Sequence, residues 1–165
     1  MGLLSGVVDG FLLMYCAVNI GAIPLIDSQI ILPGTVFPSA LVGLKRWYVE
    51  TFDDYLIAEG PNFYLGLVGV GGMCLILPLS VATVWGILAR RAWVGSVILM
   101  LGSASMAMSA TCMGELLGSG RASEIMLQQY VSTAAVAVMA TLRGFFLVNG
   151  RPAASTQTSA SKKRS

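Results

Sequence analysis

The chain has 165 residues, of which 56% are hydrophobic and only 11% are charged. A soluble domain usually carries about 25% charged residues, so this composition predicts one domain that has lipid as its main solvent. The net charge is +2 and the sequence contains no histidine. These two facts argue against nucleic-acid binding and remove the commonest metal ligand, so we expect no metal site and no cofactor.

Four segments are long and apolar enough to cross a bilayer, which takes about 20 helical residues. They run from about Leu3 to Ile26, from about Phe63 to Leu88, from about Trp93 to Leu117 and from about Tyr130 to Asn149. The predicted fold class is therefore all-α, a four-helix transmembrane bundle formed by residues 1–149. Residues 150–165 are rich in Ser, Thr and Ala and predict a disordered basic tail.

The connection between the first two spans carries apolar residues at helical spacing. Leu41, Leu44, Tyr48 and Phe52 recur every three or four positions. This pattern predicts a short amphipathic helix that lies against the membrane surface.

Basic residues are distributed unevenly between the two sides of the predicted bundle. Most lie on the side that both termini share, namely Arg90, Arg91, Arg151, Lys162, Lys163 and Arg164. The positive-inside rule therefore predicts cytosolic termini and a lumenal amphipathic helix. Arg143, near the cytosolic end of the fourth span, is expected to snorkel to the interface. The ending Lys162–Ser165 resembles a dilysine retrieval signal of endoplasmic-reticulum membrane proteins.

Carboxylates collect at the lumenal side in this topology. Asp27 ends the first span, Glu115 ends the third, and Asp53 and Asp54 follow the amphipathic helix. A carboxylate beside hydrocarbon is costly enough that a functional role is the first hypothesis, and the alternative is that these residues mark where water begins. Pro24 removes a helical hydrogen bond three residues before Asp27 and predicts a kink there.

These positions predict a polar pocket at the mouth of the bundle. Methionines of the third span offer it an adaptable wall, and small residues there allow close helix packing. The ligand-binding residues that we expect beside the acids are Gln29, Tyr48, Met106, Met113 and Glu115.

A set of residues around the first connection resembles the EXPERA family of membrane proteins, which includes sigma-2 receptors and sterol isomerases. The resemblance is carried, in order, by Asp27, Leu32-Pro33, Pro38, "KRWYVETFDD" at Lys45–Asp54 and "EGP" at Glu59–Pro61. It implies a four-helix bundle in the endoplasmic reticulum with an internal ligand pocket. It also implies that Asp27 faces the ligand and that Asp54, rather than Asp53, supports it.

Two departures from the family pattern bear on the activity. An ungapped comparison places Gly71 where the family's pocket has a glutamate, and the histidine that the sterol isomerases use is absent. The missing histidine puts sterol isomerisation in doubt, and the missing glutamate suggests a changed ligand.

Two hypotheses of different class follow. In the first, Asp27 and Asp54 are an acid–base pair in which one carboxyl group keeps its proton and the other is ionised. Such a pair suits the opening of an epoxide, by hydrolysis or cyclisation, in a polyketide or terpenoid pathway of specialised metabolism. In the second, the protein binds a sterol or another lipophilic ligand without catalysis. The partners expected are this small molecule and the bilayer, and the oligomeric state is left open, with a homodimer as one option.

Overall fold

The computed structural model describes residues 3–150, and from residue 151 onward the predicted tail, with its dilysine-like ending, lies outside the described residues. Within residues 3–150 the chain is helical and contains no strand, which confirms the predicted all-α class. Eight α-helices and three other helical segments follow one another: α1 (Leu3–Ala22), a π-helix (Ile23–Asp27), α2 (Ser28–Ile31), a 3-10 helix (Gly34–Val36), α3 (Ser39–Phe52), α4 (Tyr55–Glu59), α5 (Asn62–Gly66), a second π-helix (Leu67–Ile76), α6 (Leu77–Leu88), α7 (Val94–Ser119) and α8 (Glu124–Asn149).

Four helical segments are long and apolar enough to cross a membrane: Ser5–Ile31, Asn62–Leu88, Val94–Ser119 and Glu124–Asn149. They confirm the four predicted spans, and two of their bounds differ from the prediction by five residues or more. The first span continues to Ile31, so Asp27 lies inside it. The fourth begins six residues early, at Glu124, because the Ser123 hydroxyl accepts a hydrogen bond from the Met126 N–H at 3.3 Å and caps the helix.

Both π-helices interrupt the first two spans at the same end of the bundle. The first contains Pro24, which has no N–H to donate, and the Ser28 hydroxyl donates to the Pro24 carbonyl at 2.6 Å. The second covers the glycine-rich segment Leu67–Ile76. A Cβ atom built on Gly72 would lie 3.9 Å from the Ile23 side chain, so the two wide turns face each other.

Helices α7 and α8 pack closely through glycines. A Cβ atom added to Gly144 would lie 2.6 Å from the Leu99 Cα, and one added to Gly102 would lie 2.9 Å from the Ala140 carbonyl carbon. Gly95 likewise approaches Leu147, at 2.8 Å. Small residues bring these two backbones together, as is typical of helix pairs in membranes.

The expected snorkelling of Arg143 is wrong, because this side chain turns inward to the first span. Its Nε and Nη2 atoms donate to the two carboxylate oxygens of Asp9 at 2.9 and 3.0 Å, and Nη2 also donates to the Ser5 hydroxyl at 2.7 Å. The two side chains are only 17% and 18% exposed. A charge so placed needs a partner, and Asp9 is the carboxylate within reach.

The connection between the first two spans contains helix α3, as the apolar spacing predicted. Gln29 attaches it to the first span, since its amide nitrogen donates to the carbonyl oxygens of Leu25 at 2.6 Å and Leu41 at 2.9 Å. The position of α3 on a lumenal membrane surface stays a prediction.

Candidate functional site

A cavity of about 420 Å³ lies inside the bundle. All four spans contribute to its wall, together with Tyr48 of α3 and Ile57 of α4. The wall is largely apolar, and its polar members are Tyr15, Asn19, Asp27, Tyr48, Tyr64, Ser105, Ser109, Gln129, Tyr130, Ser132 and Thr133. Polar groups set into a predominantly apolar surface are the usual composition of a ligand site.

The cavity opens sideways between the first and fourth spans. Phe11, Met14 and Val18 line it and are nevertheless 50%, 60% and 60% exposed. On the fourth span the exposed Ser132 belongs to the same wall. Since these residues belong to membrane-length helices, the opening faces the region that lipid would occupy, and a lipophilic molecule could enter from there.

Asp27 is the last residue of the first π-helix, and its half-buried side chain lines the cavity. No side-chain hydrogen bond joins it to another residue within the described range 3–150. The partly buried Lys45 is the nearby cation: burial lowers the pKa of its ammonium group, and the charge of Asp27 opposes that effect. Asp27 is therefore a carboxyl group that is free to meet a ligand.

Asp54 is 1% exposed and lies behind the cavity wall. It is the N-cap of α4, where its Oδ1 atom accepts hydrogen bonds from the N–H groups of Leu56 at 3.1 Å and Ile57 at 3.2 Å. Burial raises the pKa of this carboxyl group above its ordinary value, and those bonds and one from Tyr130 act against the increase. The neighbouring Asp53 is exposed and has a left-handed backbone (φ 52°), so Asp54 is the aspartate that faces inward.

Two tyrosines that sequence reasoning missed join Asp54 to the cavity. Tyr130 donates to the second oxygen of Asp54 at 3.2 Å, and the Tyr64 hydroxyl lies 3.3 Å from that of Tyr130. Both rings line the cavity. Aromatic residues near the ends of spans are ordinarily interfacial anchors, so position alone did not indicate a site.

Tyr48 and Gln129 make a second polar contact on the wall. The Gln129 amide nitrogen donates to the Tyr48 hydroxyl, and the amide oxygen is buried with no partner among the described residues. Burial raises the pKa of Tyr48 to about 12; the Gln129 bond opposes this effect, and the charges of Asp54 and Asp27 add to it. The Tyr48 hydroxyl is therefore protonated near neutral pH and within electrostatic range of both aspartates.

Of the five residues expected to bind ligand, Tyr48 lines the cavity and the other four do not. Gln29 uses its amide to hold α3, and half-buried Glu115 lies near Arg121, outside the wall. Met106 is exposed and accepts a hydrogen bond from Thr141 at 3.3 Å, and Met113 packs in the core beside the cavity.

The third span presents a different face to the cavity from the one expected. Its lining residues are Ser105, Met108, Ser109 and Cys112. Their spacing of three and four residues is that of one helix face, so the small polar residues at this period were the usable signal. Met106 and Met113 lie on other faces of this helix, outside the cavity wall, and their role in ligand binding stays a prediction.

Gly71 has a specific neighbour in the structure. A Cβ atom at this position would lie 3.0 Å from the sulfur atom and 3.2 Å from the methyl carbon of Met108. Met108 lines the cavity, so the space beside Gly71 is filled by a wall residue from the third span.

Comparison with known proteins agrees with this architecture. The family model for EXPERA (EXPanded EBP superfamily) matches residues 40–150, which include Asp54, Tyr64 and Tyr130, whereas Asp27 precedes the matched range. The chain is also similar to the sigma intracellular receptor 2 of Xenopus tropicalis, with 36% identity over 44 residues, or 27% of this chain and 26% of the receptor. That match spans about a quarter of the receptor's length. The family match covers more than half of the chain, and the chain therefore belongs to the EXPERA family.

Proposed function

We propose that the protein is a membrane-embedded acid–base enzyme that opens an epoxide in a lipophilic small molecule. The observation that carries the proposal is the arrangement of two carboxyl groups around one apolar cavity. Asp27 faces the cavity directly, and Asp54 reaches it through Tyr130 and Tyr64. The two acids therefore occupy different environments, which is how one site can hold an acid and a base together.

In the proposed step Asp54 starts protonated on Oδ2, so its hydrogen bond with Tyr130 is reversed from that of the ionised form and the acid donates to the tyrosine oxygen. The epoxide oxygen takes a proton from the Tyr64 hydroxyl as its carbon–oxygen bond breaks. Tyr130 returns a proton to Tyr64, and Asp54 returns one to Tyr130. On the other side, Asp27 removes a proton from water, or from a hydroxyl of the substrate, whose oxygen forms the new bond to carbon.

The proton transfers balance with water, or a hydroxyl group of the substrate, as the nucleophile. Transfer of the proton from Asp27 back to Asp54 restores the starting state, and the product is a diol or a cyclic ether. The apolar wall and the sideways opening favour a polyketide or terpenoid substrate, as expected in a specialised-metabolite pathway.

A turnover assay in microsomes tests the proposal. The protein is expressed and supplied with 2,3-oxidosqualene and with epoxides of linear polyenes, and products are separated by mass spectrometry. Asp27→Asn and Asp54→Asn should abolish turnover, and Tyr130→Phe should lower it by about 10²-fold or more, the usual contribution of a general acid. Asp53→Asn, at the exposed neighbour, is the matched control and should keep wild-type activity.

The second candidate is a non-catalytic binder of a sterol or similar ligand. It is favoured by the three hydrogen bonds of Asp54, which explain that buried group structurally without any proton transfer. The similar Xenopus protein is named as a receptor. Saturable binding of tritiated cholesterol, with no turnover of any epoxide, would select this candidate. A double-bond isomerase is the third alternative, but this chain lacks the histidine that the sterol isomerases of the family use.

We also propose that the protein resides in the endoplasmic-reticulum membrane with both termini in the cytosol. The support is the bias of basic residues toward one side and the endoplasmic-reticulum location that the resemblance to the EXPERA family implies. Asp27 and the helix α3 would then lie toward the lumen.

A further inference from the structure

We propose that the cavity contains a second polar subsite, formed by Asn19, Tyr15 and Ser105, that binds a hydroxyl group at the far end of an elongated ligand. The inference rests on the proposed function, because it takes the cavity as a ligand site. It adds that the ligand carries an oxygen function at each end, one at Asp27 and one at this subsite.

The three residues lie at the end of the cavity that is away from the carboxylates, at the level of the sideways opening. Asn19 and Tyr15 precede Asp27 by 8 and 12 residues on the first span, and all of them line the cavity. At the helical rise of about 1.5 Å per residue, reduced in the π-helix, Asn19 is roughly 10–12 Å from Asp27 along the axis. Asn19 lies near the middle of the first span, far from either membrane surface. Unsatisfied polar groups are costly in this interior region.

The Asn19 amide is only partly satisfied. Its nitrogen donates to the Ser80 hydroxyl at a long 3.4 Å, and its oxygen accepts no hydrogen bond from any residue in the described range. That oxygen is also not fully buried, because the buried unpaired side-chain atoms of the described chain are those of Thr83 and Gln129. Asn19 therefore presents a free acceptor to the cavity.

Tyr15 and Ser105 add a donor beside it. The Tyr15 hydroxyl donates to the Ser105 oxygen at 2.9 Å, which leaves the Ser105 proton available to a further acceptor. An acceptor and a donor together suit a hydroxyl group, which both donates and accepts. A ketone would leave the Asn19 oxygen unpaired, and an amine cation would find no charge partner among these three residues.

The test compares two rigid steroids that differ by one hydroxyl group. Purified protein in nanodiscs is titrated with tritiated 5α-androstane-3β,17β-diol and with 5α-androstan-3β-ol. The readout is the ratio of the two Kd values in each variant, because comparing this ratio between variants cancels the partition of each steroid into lipid. Asn19→Leu and Tyr15→Phe are the test variants. Thr111→Val is the matched control, since the exposed Thr111 hydroxyl donates to the Ala107 carbonyl at 3.0 Å and lies outside the cavity wall.

We expect the wild type to prefer the diol and Asn19→Leu to reduce that preference about tenfold, the effect of one buried hydrogen bond. Tyr15→Phe should reduce it as well, and Thr111→Val should not. An equal preference in the wild type and in Asn19→Leu would overturn the inference, as would no saturable binding of either steroid.

The variant Asp27→Asn separates this inference from the proposed function. If it weakens both steroids while Asn19→Leu leaves their ratio unchanged, only the second subsite is wrong. If Asp27→Asn changes neither affinity, the ligand site around Asp27 is wrong, and the subsite fails with it.

Discussion

Asp54 takes part in three hydrogen bonds, two from the backbone of α4 and one from Tyr130. The first two hold the start of a short helix, and the third holds a ring of the cavity wall. A carboxyl group that is 1% exposed would be costly without these partners. The variant Asp54→Asn separates the structural role of this residue from its chemical role, because asparagine keeps the capping oxygen and removes the charge.

This separation gives a prediction about pH. Burial raises the pKa of Asp54 in the folded protein, so the folded state binds the proton more tightly than the unfolded chain, where an aspartate titrates near about 3.9. The free energy of unfolding should therefore fall as pH rises from about 4 through the raised pKa, and then level off. The difference between wild type and Asp54→Asn in detergent unfolding experiments should follow this course. A difference that rises with pH would contradict it, and Asp53→Asn serves as the control.

A second residue-scale prediction concerns Gly71. Gly71→Ala places a methyl group against Met108, whose flexible side chain lines the cavity and would have to shift. We expect severalfold weaker binding of the steroid diol with little change in melting temperature. Gly66→Ala is the control, because a Cβ atom there has open space. Unchanged binding in Gly71→Ala would show that Met108 has room elsewhere.

At the scale of elements, α7 and α8 pack closely against each other, and both helices also contribute residues to the cavity wall. The third and fourth spans meet through Gly95, Gly102 and Gly144, and no side chain separates them there. The first and fourth spans are joined instead by the Asp9–Arg143 ion pair, beyond the end of the cavity. Helix α8 therefore packs closely on α7, whereas an ion pair near one end joins it to the first span. This difference leaves the sideways opening between the first and fourth spans.

The α7–α8 contact predicts a large effect from one methyl group. Gly144→Ala would place a Cβ atom 2.6 Å from the Leu99 Cα, where backbone must move, and overpacking of this kind costs about 1–3 kcal/mol or more. Gly114→Ala in α7 meets nothing within 4 Å and should be neutral or stabilise by about 0.5–1 kcal/mol. Unfolding in detergent, followed by circular dichroism, compares the two. Equal stability of both variants would contradict the close packing.

At the scale of the whole molecule, the open question is which side of the membrane holds Asp27 and α3. The bias of basic residues predicts the lumen. An Asn-X-Ser/Thr acceptor inserted between Pro33 and Pro61 should be glycosylated in microsomes, and one inserted after residue 151 should not. Endoglycosidase digestion on a gel reads the result directly. The reverse pattern would place the Asp27 end of the cavity in the cytosol.

The sequence by itself determined the four spans and the helix between the first two, and it singled out Asp27 as a candidate, because length, apolar content and an isolated charge are local properties. It could not determine which face of the third span lines the cavity, since Met106 and Met113 differ from Met108 only in direction around the helix. It also could not show that Tyr64 and Tyr130 meet Asp54, or that Arg143 pairs with Asp9. Those contacts join residues up to 134 positions apart, and only the packing of the helices in three dimensions decides them.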